Sequence, residues 1–331
     1  MLRPCMGMLV GCLLANLVTL VAVPVAAQPA ASDYPSRPIV VHVPQAVGGS
    51  TDVLSRTILR KLSEVLGQSI VVENRAGANG IIGTELVAKA PPNGYTLLVG
   101  GTGTMAINPG LYTKLPYDPV RQFTPVAMFG YSTSVLIVHP SVRAGTIGEL
   151  IALAKSKPGE LKYASAGIGS SPHLSAEIFK QLAGIELLHV PYKGSTPGVS
   201  ATIAGEIDLM FTGIASALAQ IKSGRLRALS INGARRSPAL PNVPIAAESG
   251  LPGFDVDFWI GLFAPAGTPR TIVTRLNAEI NAIASAAEIK ELFLVLGVDA
   301  LPLSPEQYAE LLAKDTERWI KAVRSAGIKG E

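Results

Sequence analysis

The chain has 331 residues, of which 48% are hydrophobic, 16% charged and 5% aromatic, with 33 Gly and 25 Pro. That composition excludes a disordered chain, and at about 150 residues per domain the length points to two domains with sizeable cores. Twenty-eight Lys and Arg against 24 Asp and Glu leave a net charge of +4. Without a run of like charges, this argues against a nucleic-acid groove or a polybasic membrane patch.

The first segment reads as an address. Arg3 is followed by an uncharged apolar stretch from Met8 to Ala26, and Pro24-Val25-Ala26-Ala27 places small residues where a signal peptidase cuts. We therefore expect a signal peptide over 1–27, cleaved after Ala27, and a mature protein outside the cytoplasmic membrane. An uncleaved anchor is the competing reading, and Leu9-Val10-Gly11-Cys12 resembles a lipobox but has too short a hydrophobic stretch before Cys12. Cleavage after Ala27 removes both cysteines, Cys5 and Cys12, and with them any disulfide, thiolate nucleophile or Cys-bound metal.

Next, Ile39-Val40-Val41-His42-Val43 predicts a strand, and Val53, Leu54, Ile58, Leu62 and Leu66 recur at helical intervals up to a stop at Gly67. Ile70-Val71-Val72, Ile81 to Ala90 and Tyr95 to Val99 repeat the pattern, predicting parallel strands buried on both faces in an α/β sheet. Asn108 to Pro125 holds four prolines and reads as a connection toward a domain boundary. A second series starts at Val135 to Val138, with a helix at Ile147 to Lys155 and strands near Leu161, Leu187, Ile207 and Leu226 to Ile231. Trp259 to Phe263 is again a strand. Helices then open at Thr268-Pro269 and Ser304-Pro305-Glu306-Gln307, the latter with a capping box.

Catalytic motifs are absent: there is no HExxH, GxxxxGK, GxSxG or EF-hand loop, and nothing calls for a metal or cofactor. Gly101-Thr102-Gly103-Thr104-Met105-Ala106 matches a loose dinucleotide fingerprint, but Pro109 follows where a long helix should begin, so we expect a plain or ligand-facing loop. His42, His139 and His189 read as structural, whereas His173, in a first helical turn, is a candidate for the ligand site. Gly, Ser and Thr cluster before helices at Gly48-Gly49-Ser50-Thr51-Asp52, at Gly167 to Pro172 and at Lys193 to Pro197. Free amides at helix starts favour an anion, although the same hydroxyls also serve as plain caps.

An ordered set of segments resembles the periplasmic substrate-binding receptors of tripartite tricarboxylate transporters, the Bug receptors. It includes Val72-Glu73-Asn74-Arg75, Ile107-Asn108-Pro109, Leu115-Pro116-Tyr117-Asp118-Pro119, Tyr163-Ala164-Ser165-Ala166-Gly167, Val190-Pro191-Tyr192-Lys193-Gly194-Ser195 and Ala264-Pro265-Ala266-Gly267-Thr268-Pro269. The resemblance implies an α/β, type II-like periplasmic binding protein fold with a ligand cleft between two lobes. Lobe 1 is expected over 28–130 and again, with the C-terminal helices, over 231–331; lobe 2 is expected over 131–230. It also implies a monomeric, non-enzymatic receptor that takes a small organic anion, a carboxylate, to the membrane subunits of such a transporter. Its ligand loops fall on Gly48, Gly49, Ser50, Thr51 and Asp52, on Thr102, Thr104 and Asn108, and on Gly169, Ser170, Ser171 and His173, with Asp208 a weaker candidate.

We expect Ser170, Ser171 and the amides around them to hold one carboxylate. Gln45-Ala46-Val47 departs from the family's aromatic and two prolines, and Ser50 from another proline, implying a polar and looser first loop. The alternatives are a ligand sensor for a membrane kinase, a serine hydrolase using Ser171 and His173, and a structural envelope protein. None is carried by a motif of its own.

Overall fold

β1 (Ile39–Val43) is β-branched at every position but His42, a composition suited to a pleated, buried surface. The chain turns through Gly48 and Gly49 into α1 (Ser50–Leu66), whose Leu54, Ile58 and Leu62 fall one turn apart and are buried. The computed structural model describes residues 34–233, 235–254, 256–325, 327, 328 and 330. The expected signal peptide, its cleavage point and both cysteines lie outside the described residues. Among the described residues no helix is long and apolar enough to cross a membrane.

β2 (Ile70–Asn74), α2 (Ile81–Ala88) and β3 (Thr96–Gly101) repeat the unit, and β1 lies between β2 and β3 with all three parallel. The expectation of burial on both faces fails for β2. It is an edge strand with Val71 exposed, because no further strand follows it in the sheet. The proline-rich stretch contributes only α3 (Asn108–Leu111) before β4 (Phe123–Ser132), a strand hidden in the sequence by Pro125. Proline is tolerated there because it pairs with Phe263 of β10 at a register shift, while the strand on the other side of β4 reaches only Tyr131 and Ser132.

A single residue, Thr133, separates β4 from β5 (Ser134–Val138) of a second sheet. The crossing thus lies beyond the proline-rich stretch. α4 (Ile147–Ser156), β6 (Lys162–Ser165), α5 (Ser171–Ala183), β7 (Leu188–Pro191), α6 (Ser195–Ile203), β8 (Leu209–Gly213), α7 (Ile214–Lys222) and β9 (Arg227–Ile231) complete that lobe, with strand order β7-β6-β8-β5-β9. β10 (Phe258–Pro265) then returns to the first sheet, antiparallel to both β3 and β4. α8 (Arg270–Ser285), α9 (Ala287–Leu296), β11 (Val298–Asp299) and α10 (Pro305–Ser325) follow, giving the first sheet the order β11-β4-β10-β3-β1-β2. The capping box opens α10 as expected: Ser304 N–H donates to Gln307 Oε1 at 2.9 Å, and Gln307 N–H to Ser304 Oγ at 3.2 Å.

The two crossings are tied side by side. Asn232, just after β9 and fully buried, gives its N–H to Ser134 O at 2.8 Å and its Nδ2 to Ser134 Oγ at 3.2 Å, while its carbonyl accepts from Val256 N at 2.8 Å. In lobe 1, Asn277 of α8 donates from Nδ2 to Val126 O and to Leu303 O, both at 2.8 Å, joining β4 to the segment before α10. Asn277→Ala removes both bonds: Val126 O loses its buried side-chain donor, whereas Leu303 O keeps Asn281 Nδ2 at 3.0 Å. The substitution should cost about 1–3 kcal/mol, seen as a melting temperature lower by several degrees.

Lobe 2 holds a stack of rings: His173 on His189 with centroids 4.2 Å apart, and His189 on Tyr163 at 4.7 Å. His189 Nε2 pairs with Ser165 Oγ at 2.7 Å, and His139 Nδ1 with Ser141 Oγ at 2.7 Å, both structural as expected. His42 differs: its Nδ1 has no hydrogen-bond partner among the described residues and faces Glu73 at 3.7 Å. Burial, and then the neighbouring His173, push His189 down to about 4; burial also lowers His173, against the attraction of Glu177. Both histidines are neutral above about pH 6.5, where the folded and unfolded chains bind equal numbers of protons there. Between pH 6.5 and 4 the unfolded chain binds more, so stability falls as pH falls through that window. His189→Gln should flatten the decline in melting temperature between pH 6.5 and 4.5; an unchanged slope would refute the assignment.

Candidate functional site

The carboxyl ends of β1, β3, β6 and β8 face one another across a cavity of about 590 Å³ between the two sheets. Ligands of open α/β folds bind at such strand ends. Its floor is the crossing itself, with Ser132, Ser134, Phe258 and Trp259. Lobe 1 contributes Gln45, Thr51, Asn79, Thr102 and Thr104, and lobe 2 contributes Ser170, Ser171, Tyr192, Lys193, Ser195 and Thr212.

Among the helices that begin at this wall are α1, α5 and α6. α1 and α6 have no side-chain cap, and α5 is capped at Ser170 with Pro172 in its first turn. Their free amides and dipoles make the cavity positive. Lys193 is the only charged side chain among the lining residues, and no carboxylate is among them.

The structure sorts the expected site residues. Thr51, Thr102, Thr104, Ser170 and Ser171 line the cavity. Thr102 Oγ1 accepts Trp259 N–H at 2.9 Å, and Thr104 Oγ1 accepts Gly101 N–H at 3.2 Å, so each also fastens the floor. Ser170 Oγ donates to Gly167 O at 2.6 Å and accepts His173 N–H at 3.4 Å, which makes it chiefly the cap of α5. Ser171 Oγ has no hydrogen-bond partner among the described residues and is open to a ligand. Gly48, Gly49 and the backbone of Ser50 form the rim turn. There Thr196 Oγ1 of lobe 2 donates to Val47 O of lobe 1 at 3.2 Å.

Four expectations are corrected. Asp208 lies at the start of β8, the far end from the cavity, where it accepts Lys162 N–H at 2.7 Å. His173 lies behind its loop, buried in the ring stack, its Nδ1 accepting Gly169 N–H at 2.9 Å with no hydrogen bond to Ser171. Asn108 is fully buried beneath the wall. Asp52 turns inward, accepting from Gly48 N–H, Arg56 Nε and Asn74 Nδ2, each at 2.9 Å. Burial opposes its charge, but these three donors outweigh burial and hold Asp52 below its ordinary value.

The same network answers the expectation of a loose first loop. Asn74 Nδ2 also donates to Gln45 O at 3.0 Å, so the loop is pinned from within without prolines. The fingerprint-like Gly101 to Ala106 runs into a π-helical turn over Gly103–Ile107 and the four-residue α3, without the long helix a dinucleotide needs. Sequence reasoning missed Asn79, Tyr192, Thr212 and Phe258. Asn79 carried a signal in the turn-forming Asn79-Gly80 pair, and Tyr192 stands inside the family segment Val190 to Ser195.

Gly169 packs against lobe 1 at the seam. It is left-handed at φ 76°, and a Cβ there would overlap Leu111 Cδ2 of lobe 1. The lobes are therefore closed on one another, with a bare backbone at the seam.

Comparison with known proteins agrees with this geometry. BugT of Bordetella pertussis is 38% identical over 306 residues, covering 92% of this chain and 94% of that protein. Among solved structures, R. palustris Rpa4515 with adipate has a TM-score of 0.88 at 36% identity, covering 90% of this chain and 99% of that one. MatC from Rhodopseudomonas palustris with bound malate has a TM-score of 0.83 at 34% identity, covering 88% and 100%. Residues 54–328 match TctC, the tripartite tricarboxylate transporter family receptor, and the chain belongs to this family of solute-binding receptors.

Proposed function

We propose that this receptor works in the periplasm as a monomer, captures a small carboxylate between its lobes and delivers it to the membrane subunits of a tripartite transporter. The observation that carries this reading is the cavity wall: three helix N-termini and Lys193 converge on it, and no carboxylate lines it. Adipate and malate in the R. palustris neighbours are anions of the class such a wall attracts. The lobe of the first sheet, with β1 to β4, β10 and β11, meets this ligand on one side, and the lobe of the second sheet, with β5 to β9, on the other. Thr51, Thr102, Thr104, Ser170 and Ser171 face it. Gly48, Gly49, Ser50 and Gly169 shape the loops, and Asp52, Asn108 and His173 hold them from behind. A sensory role is the less favoured reading, since the family is a transporter receptor family.

Binding selects the closed form, and the closed form is what a partner reads. Two tests follow. First, the refolded, ligand-stripped protein should show a thermal shift with one group of carboxylates among mono-, di- and tricarboxylates, amino acids and aromatic acids. At about 100 times the dissociation constant the gain is about 2.7 kcal/mol. Ser171→Ala should then weaken that ligand roughly tenfold. A flat response to the whole panel would refute the carboxylate reading.

Second, Gly169→Ala places a methyl where Leu111 sits only when the lobes are closed. Its left-handed strain, about 1–2 kcal/mol, is common to the open and closed forms and should lower the melting temperature. The overlap acts on closure alone. Affinity should fall, with small-angle scattering showing an open form persisting in the presence of ligand; unchanged closure would show that the seam is not limiting.

A further inference from the structure

We propose that Asn79 is a specificity-determining residue of the cleft, a carboxamide that contacts the ligand and is aimed by Asn108; this rests on the anion-receptor reading above. From Gly77 to Gly80 every residue has positive φ, at 128°, 44°, 51° and 81°. Ala78 and Asn79 are the only non-glycine residues with positive φ among the described residues. Left-handed backbone is costly for residues with a Cβ, least so for Asn, and such strain gathers where a ligand is clamped. Gly80 is pinned as well, because a Cβ there would stand 2.5 Å from Thr104 Cγ2 and 3.1 Å from Pro44 O. The turn therefore has little freedom, and it presents Asn79 in the cavity wall.

The hydrogen-bond accounting behind Asn79 separates the two asparagines. Asn108 Oδ1 accepts Asn79 Nδ2 at 2.6 Å, and Asn108 Nδ2 donates to Tyr117 Oη at 2.9 Å and back to Asn79 O at 3.3 Å. Tyr117 Oη in turn donates to Thr104 O at 2.6 Å. Both N–H groups of Asn108 are thus engaged inside lobe 1, and it acts as a positioning residue. Asn79 spends one N–H on Asn108; its second N–H and its Oδ1 have no partner among the described residues.

Lobe 2 closes directly over this carboxamide. A Cβ on Gly169 would lie 3.3 Å from Asn79 Nδ2, so the loop that carries Ser170 and Ser171 meets Asn79 at the seam. A carboxylate held at the start of α5 therefore lies next to a fixed amide donor of lobe 1. Contact with both lobes at one point ties recognition of the anion to closure.

The test uses full-length mature protein and a fixed set of probes: acetate, succinate, malate, adipate, glutamate and benzoate. Asn79→Gly keeps the left-handed turn and removes the carboxamide. The dissociation constant of the best-bound probe should rise about 10- to 100-fold, and the ratio between the best and second-best probes should change, while the melting temperature does not fall. Asn79→Asp, which also tolerates the turn, should abolish binding through its negative charge. Wild-type affinity in Asn79→Gly or Asn79→Asp would overturn the proposal, leaving the receptor reading intact. So would an affinity loss in Asn79→Gly that merely tracks a lower melting temperature. Wild-type protein that binds none of the probes would overturn both.

Discussion

The chain must pass between its two sheets twice, and the two passages are held to one another. Thr133 allows no slack between β4 and β5, and on the return Asn232 is bonded to Ser134 by both its main chain and its side chain. Relative motion of the lobes is therefore a rotation about two adjacent extended segments and not a sliding of one sheet past the other. The cleft floor, with Ser132, Ser134, Phe258 and Trp259, is built on those segments and stays the same in any such rotation. Only the walls move.

The walls attract an anion without a cluster of basic residues. The carboxylate of Asp52 is paired with Arg56 and accepts hydrogen bonds from Gly48 and Asn74, so it orders the first loop instead of facing the cavity. What remains facing the cavity is the set of amides at the starts of α1, α5 and α6, with Lys193 as the single full charge. Fixed dipoles in a closed cavity act at short range and with direction, so selection rests on where ligand oxygens fall more than on total charge. Complementarity at the seam follows from small residues. Gly169 meets Leu111, Gly194 lies against Ala46, and Thr196 bonds Val47.

Much of this was legible in the amino-acid sequence, because its determinants are local. The β-branched run at Ile39 to Val43, the four-residue spacing of Leu54, Ile58 and Leu62, the stop at Gly67 and the Ser304–Gln307 cap each act through neighbours a few residues away. The ordered segments from Val72 to Pro269 identified the receptor family and hence two lobes with a cleft. The Gly, Ser and Thr clusters located the turns that form its rim.

The sequence by itself determined most of the strands, several helices and the turns of the rim, since backbone conformation and hydrophobic spacing are written along the chain. Only the tertiary structure decided which side chains face the ligand. Asp208 and Thr212 belong to one short stretch of chain, yet Thr212 lines the cavity and Asp208 lies at the far end of β8. Asn108 and Asn79 are 29 residues apart, and their hydrogen bond decides that one is buried support and the other a wall residue. β4 was hidden for the same reason: Pro125 breaks the local pattern, and the register shift against β10 that accommodates it exists only in the assembled sheet.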